Sequence, residues 1–174
     1  VAQAPARGRV IWKGARAERA LRRVRDRPEL PLTTFDPSEV VEQMRIERVP
    51  EVTAPVPCFM GDISPLACIL YDDQGSGTVL IHSLLNDPQT PLAVMKLIAT
   101  HELLHLVARP EIIEGKRVSH PPAFRELENA RCPEKREAWQ WIRDELGWYL
   151  SIDRESESTY VRRGWREIPR RVQA

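Results

Sequence analysis

The sequence predicts an α+β fold, with a small β region set among helices rather than strands alternating with helices. Three observations lead there. Residues 66–82 hold two apolar, β-rich runs on either side of Asp72-Asp73-Gln74-Gly75-Ser76-Gly77, which is turn chemistry, so the stretch reads as a hairpin. The segments before and after it repeat apolar residues at helical spacing and are bounded by caps and prolines. A chain of 174 residues is long enough for one domain with its own core and extended ends.

Residues 1–9 combine small residues, Pro and Arg, and predict disorder. A helix follows from about Lys13 to Arg25. Ala17, Ala20, Leu21 and Val24 share one face, while Arg16, Arg19, Arg22 and Arg23 take the others. Pro28 and Pro31 end it. Asp36 as N-cap and Pro37 at the first helical position start a second helix, which runs through Val40, Val41 and Met44 to about Arg48. Pro50, Pro55 and Pro57 then keep the chain extended or turning, and Cys58–Gly61 is a candidate short strand. Leu66–Tyr71 and Thr78–His82 are the two strands of the hairpin. Thr90 as cap and Pro91 in the first turn open a helix that passes through His105 to about Ala108, with Pro110 just beyond. Residues 109–119 read as a loop. Ser119-His120-Pro121-Pro122 opens another helix, carrying Phe124, Leu127 and Ala130 and stopping at Pro133. The last helix runs from about Glu134 to Leu150, with Ala138, Trp141, Ile142, Leu146 and Tyr149 on its apolar face. Trp139, Trp141 and Trp148 read as packing residues. Beyond Ser151 the chain is mostly polar, with Tyr160, Val161 and Trp165 among the exceptions. The division that follows is a basic N-terminal extension with one helix (1–30), a main domain (31–150) and a polar, basic C-terminal tail (151–174).

No apolar run reaches membrane-spanning length, because Lys96, His101 and Glu102 interrupt the longest one. Val1–Pro5 lack the apolar core of a signal peptide, so the expected location is the cytoplasm. Cys58, Cys68 and Cys132 are odd in number and widely spaced, with no Cys-x-x-Cys. That disfavours a zinc ribbon and predicts free thiols in a reducing compartment, with a Cys58–Cys68 bridge as the lesser alternative. Net charge is only +1, but it is unevenly spread. Arg7–Arg27 holds nine basic and two acidic residues, and Arg162–Arg171 five and one. Residues 28–161 hold twelve basic and twenty-two acidic, a net of −10. Basic ends on an acidic body make nucleic acid a candidate partner; ends that fold back onto the body are the commoner reading. In one such arrangement the Arg-rich first helix partly covers a cleft in the acidic middle, inhibiting the protein until residues 1–30 are removed.

The chemistry centres on His101-Glu102-Leu103-Leu104-His105. Two histidines four apart on a helix project from one face, about one turn apart, and both can bind one Zn²⁺. Glu102 between them is then the general base for the water on the metal. The plain alternative is two surface histidines on an amphipathic helix. Leu97, Ile98, Leu106 and Val107 argue against it, because they make the helix apolar on all sides. Two buried imidazoles and a buried carboxylate are costly unless something satisfies them.

A catalytic zinc needs a third protein ligand and one open position. The chain has four histidines: His82, His101, His105 and His120. His120, at the mouth of the next helix, is the favoured third ligand, and Glu126 or Glu128 the rival. A metzincin-like arrangement would need Gly at 108 and His at 111, and an Asp-zincin Asp at 111; this chain has Ala108 and Glu111. Three pieces, Val79-Leu80-Ile81-His82-Ser83-Leu84-Leu85, His101-Glu102-Leu103-Leu104-His105-Leu106 and His120-Pro121-Pro122-Ala123-Phe124, together resemble the SprT-like and YgjP-like zinc metallopeptidase domains over about residues 66–130. The resemblance implies zinc on His101, His105 and His120, Glu102 as base, and a zincin-like α+β fold for residues 31–150, its metal helices packed on a small antiparallel sheet. It departs where those proteins often carry Gly after the third histidine, here Pro121, and a C-terminal zinc ribbon, which is lacking; only the wider peptidase fold carries over.

The expected function is therefore a zinc-dependent metallopeptidase acting on a peptide or protein substrate. His82, Tyr71, Tyr149 and Tyr160 are candidate oxyanion donors, each more readily a structural residue. Thr78–His82 is either an edge that pairs with an extended substrate or, the favoured reading, an ordinary sheet strand. The alternative function is a zincin-fold binding or scaffold module with little turnover, associated with nucleic acid through its basic ends.

Overall fold

The computed structural model describes residues 15–27, 29–71, 76–153 and 158–168. The expected disorder of residues 1–9 and the centre of the expected hairpin turn lie outside the described residues. Among the described residues the fold is α+β, with five α-helices and small sheets. In order, the elements are α1 (Ala15–Asp26), α2 (Pro37–Arg48), β1 (Cys58–Gly61), β2 (Ala67–Tyr71), β3 (Gly77–His82), α3 (Leu92–Val107), β4 (Glu111–Ile113), β5 (Lys116–Val118), α4 (Pro122–Arg131), α5 (Lys135–Leu146), β6 (Leu150–Asp153) and β7 (Ser158–Val161). Short 3₁₀ turns occupy Ser83–Leu85, Gly147–Tyr149 and Trp165–Glu167.

The main sheet has the order β1-β3-β2. β2 and β3 form the expected antiparallel hairpin, with Cys68 opposite Leu80 and Ile69 opposite Val79. β1 pairs with the other side of β3 in parallel, Cys58 opposite Val79 and Gly61 opposite His82. The sheet is therefore mixed, not antiparallel as expected, and Thr78–His82 is its central strand, not an edge. The physical reason lies in burial on both faces. Val79, Leu80 and Ile81 are all fully buried, and a strand covered on both sides reads as a continuous apolar run. Val79 and Ile81 join the large core with Met60 and Ile69, while Leu80 joins Leu70, Phe59 and Cys68 in a second cluster. The two-residue alternation thus feeds two helical layers.

On one side lies α3, flanked by α2, α4 and α5. On the other lies α1, whose Ala20, Leu21 and Val24 pack on Leu70 and Leu80. The close approach is visible at Gly61, where an added Cβ would sit 2.7 Å from Val24 Cγ2. The Arg-rich helix consequently occupies the face opposite α3, so the self-covering arrangement is not what α1 adopts.

The helix boundaries follow local chemistry with a few revisions. Asp36 caps α2, its carboxylate accepting from the Ser38 N–H at 2.8 Å. α3 begins one residue later than expected: Thr90 makes no cap bond, and its buried Oγ1 has no partner among the described residues. α5 ends at Leu146 rather than Leu150, tightening into a 3₁₀ turn from Gly147 before the chain becomes extended at Leu150. The expected loop 109–119 is a hairpin, with Glu114 (φ 51°) and Gly115 (φ 76°) in the two-residue turn between β4 and β5. The stretch assigned to a polar tail contains the β6–β7 hairpin. It joins the main sheet at one point, where Leu66 N–H donates to Thr159 O at 2.8 Å and Val161 N–H to Ser64 O at 2.9 Å. All three cysteines are free. No described helix is long and apolar enough to cross a membrane.

Candidate metal centre

α3 is buried on almost every side, from Val94 and Met95 through Leu103 and Leu104. His101 and His105 leave its last two turns on one face, and His120 returns to them from the start of α4. The three imidazoles form a near-equilateral triangle, with ring centroids 5.0 Å apart for His101–His105, 4.9 Å for His101–His120 and 5.0 Å for His105–His120. One ligating atom from each lies within 4.8 Å of the other two. His101 Nε2 and His120 Nε2 are 3.2 Å apart. A tetrahedral site with metal–nitrogen bonds of about 2.05 Å needs nitrogens about 3.3 Å apart, so this pair already has a metal-site spacing.

Phe124 is the floor of the triangle. It is fully buried, and its ring centroid lies 5.0, 4.5 and 4.8 Å from those of His101, His105 and His120. One helical turn further on, Glu128 reaches His101: Oε1 is 2.6 Å from Nδ1. The carboxylate accepts, so Nδ1 carries the hydrogen and Nε2 is left to face His120. Lys135 at the start of α5 clamps the other oxygen, with Nζ 2.5 Å from Oε2. Glu128 thus spends its oxygens on His101 and Lys135 and lies outside the three-histidine group, and Glu126 is exposed. Ion pairs outside the centre fix α4 and α5: Arg48 bridges Glu134 at 2.5 Å, and Arg131 bridges Glu51 at 2.6 Å.

The electrostatics separate the groups. Burial raises the Glu102 carboxyl to about 7; the charge of His101 opposes that shift and the Ile69 backbone N–H gives it a hydrogen bond. Burial, with the charges of His101 and His120, pushes His105 well below the usual imidazole range, so it is neutral with a lone pair to give. Its buried Nδ1 has no hydrogen-bond partner among the described residues. At His101 burial opposes the charged form, but the Glu128 hydrogen bond and the charges of Glu102 and Glu128 prevail and raise its pKa. Burial opposes the Glu128 carboxylate as well, yet His101 and Lys135 hold it down at about 2.

All three histidines and Glu102 line one cleft of about 160 Å³. That volume has room for an ion, water and a small part of a ligand. Its other walls are Pro65–Ile69 of the β2 edge, Ile98 of α3, Trp139 of α5, and Ser158–Tyr160 of β7. Of the four expected oxyanion donors, only Tyr160 lines this cleft. Tyr71 donates its hydroxyl to His105 O at 2.7 Å, satisfying a carbonyl at the end of α3. His82 is buried against Trp165 and accepts from the Leu84 N–H at 2.8 Å; burial pushes its pKa down to about 4. Tyr149 is buried in the core.

Sequence reasoning missed Trp139, the β7 wall and the role of Glu128. A signal existed for the last: His120, Phe124 and Glu128 fall at i, i+4 and i+8, one face of a helix. None existed for β7, whose contact with Pro65 is nearly a hundred residues away in sequence. Comparison with protein families, with characterised proteins and with solved structures finds no match.

Proposed function

We propose that this chain is a zinc-dependent metallopeptidase with a zincin-like fold of the SprT-like and YgjP-like kind. The observation that carries the reading is the histidine triangle with a buried carboxylate in the same cleft. The donor set supports a metal. Three imidazoles, two with Nε2 atoms 3.2 Å apart and one with an orphaned buried nitrogen, suit zinc with a fourth position open to the cleft. When bound there, zinc supplies a Lewis acid that makes water acidic enough to react near neutral pH.

The remaining chemistry belongs to the chain. Glu102 takes a proton from the attacking water and delivers it to the departing amine, a role suited to a carboxyl that burial has moved toward neutrality. Glu128 and Lys135 keep the His101 ring turned into the site. β2, one of the two edge strands of the main sheet, offers an extended substrate its outer side where it lines the cleft, and β7 closes off the Pro65 end. Tyr160 stands on that wall as the candidate donor to the carbonyl oxygen.

Glu102→Gln tests the reading, with a peptide library as substrate. The expected result is loss of cleavage by about 10²-fold or more with zinc affinity kept. No cleavage by either protein would leave a scaffold that keeps the metal site without turnover, and equal cleavage by both would mean that Glu102 is not the base.

A further inference from the structure

We infer that α1 and the turn after β7 together form a binding face for double-stranded nucleic acid. The two basic segments of the sequence come from opposite ends of the chain, and the fold brings Arg19 and Arg23 of the first beside Arg163 of the second. Arg19, Arg23 and Arg163 line one shallow depression with Asp62 and Ser64. Arg19 and Arg23, with Arg22, Asp26 and Arg27, line the depression beside it. Arg22, Arg23, Arg27 and Arg163 are all exposed. The carboxylate of Asp62 is engaged by Arg166 at 2.5 Å, and Asp26 is the only other acidic side chain among the described residues that line either depression.

Three features select the partner. The cations are all arginines, whose planar forks match phosphate oxygens. Arg19 to Arg27 spans about 12 Å of helix axis, and duplex DNA presents a charge about every 1.7 Å of its own axis, so one row of arginines meets several phosphates. The apolar side of α1 is spent on the sheet, with Val24 3% exposed. A helix that binds membranes keeps that side for lipid, so a lipid surface fits poorly. Within this face α1 packs on the side of the main sheet opposite α3, the helix that carries His101 and His105. None of this depends on the metal or on peptidase activity.

The test is fluorescence anisotropy of a short DNA duplex with the full chain at a series of salt concentrations, repeated for Arg22→Gln/Arg23→Gln/Arg163→Gln. The native chain should bind with log K falling linearly in log salt. The triple variant should bind about tenfold or more weakly, with a slope flatter by up to about 2.7, at about 0.9 per lost phosphate contact. Lysine at the same three positions should restore most of the slope, which separates lost charge from lost folding. Three results would overturn the inference: no duplex binding even at low salt, a triple variant indistinguishable from the native chain, or stronger binding to phosphatidylserine vesicles or poly-glutamate than to the duplex.

Discussion

Glu128 is the residue on which the metal reading can be examined most locally. It spends one oxygen on His101 and the other on Lys135, and it is 6% exposed. Glu128→Gln keeps the shape and removes the charge. Zinc affinity measured by competition with a chelator should fall about 10–100-fold, with the fold retained; unchanged affinity would mean that His101 needs no help to face the site. The imidazoles also fix the pH response. A metal binds the deprotonated ring, and His101 holds its proton more tightly than a free histidine because of Glu128 and Glu102. Protons therefore compete better as pH falls, and zinc affinity should drop steeply through and below about pH 7, with proton release on binding. Titration calorimetry in buffers of different ionisation enthalpy reads that release, and a pH-independent affinity would contradict the ligand set. Much of this scale was legible in the sequence. His101, Glu102 and His105 belong to one helix, where spacing fixes geometry, and His120 needed only one return of the chain. The role of Glu128 was not legible, because a carboxylate near histidines can bind either the metal or a ring nitrogen, and the choice depends on how α4 packs.

At the scale of elements, helices and the β2–β3 hairpin could be read from periodicity and caps, while strand order could not. β3 carries a run of buried residues that fits either a one-sided strand beside a deep core or a strand covered on both faces. Only the docking of α1 on Leu80 and Leu70 resolves that ambiguity. The β4–β5 hairpin left a weak trace in Ile112, Ile113 and Val118 around Glu114-Gly115, too short and too exposed for hydrophobic alternation to register. The position of α1 can be tested through Gly61. Gly61→Val puts side-chain atoms where Val24 now packs, so α1 should lose its seat. Amide exchange across residues 15–27 should quicken while zinc affinity stays the same. Unchanged protection would contradict the packing of α1 on this face, and lost zinc binding would contradict the separation of the two faces.

The whole molecule is a sheet between two helical layers, with the histidine cleft on one side and a basic helix on the other. Composition already held the charge contrast but not its arrangement. The contrast becomes a surface where the turn after β7 brings Arg163 back to α1. The cleft likewise draws on distant parts of the chain: Pro65–Ile69, α3, His120, Trp139 and Ser158–Tyr160. At its heart we propose that three imidazoles hold one zinc. Elemental mass spectrometry of the purified chain, followed by zinc titration of the stripped form, tests this most directly. About one tightly held zinc per chain is expected, lost in His101→Ala, His105→Ala and His120→Ala. A chain that carries no metal and takes up none on titration would contradict it, and would leave a buried histidine triangle in need of another explanation.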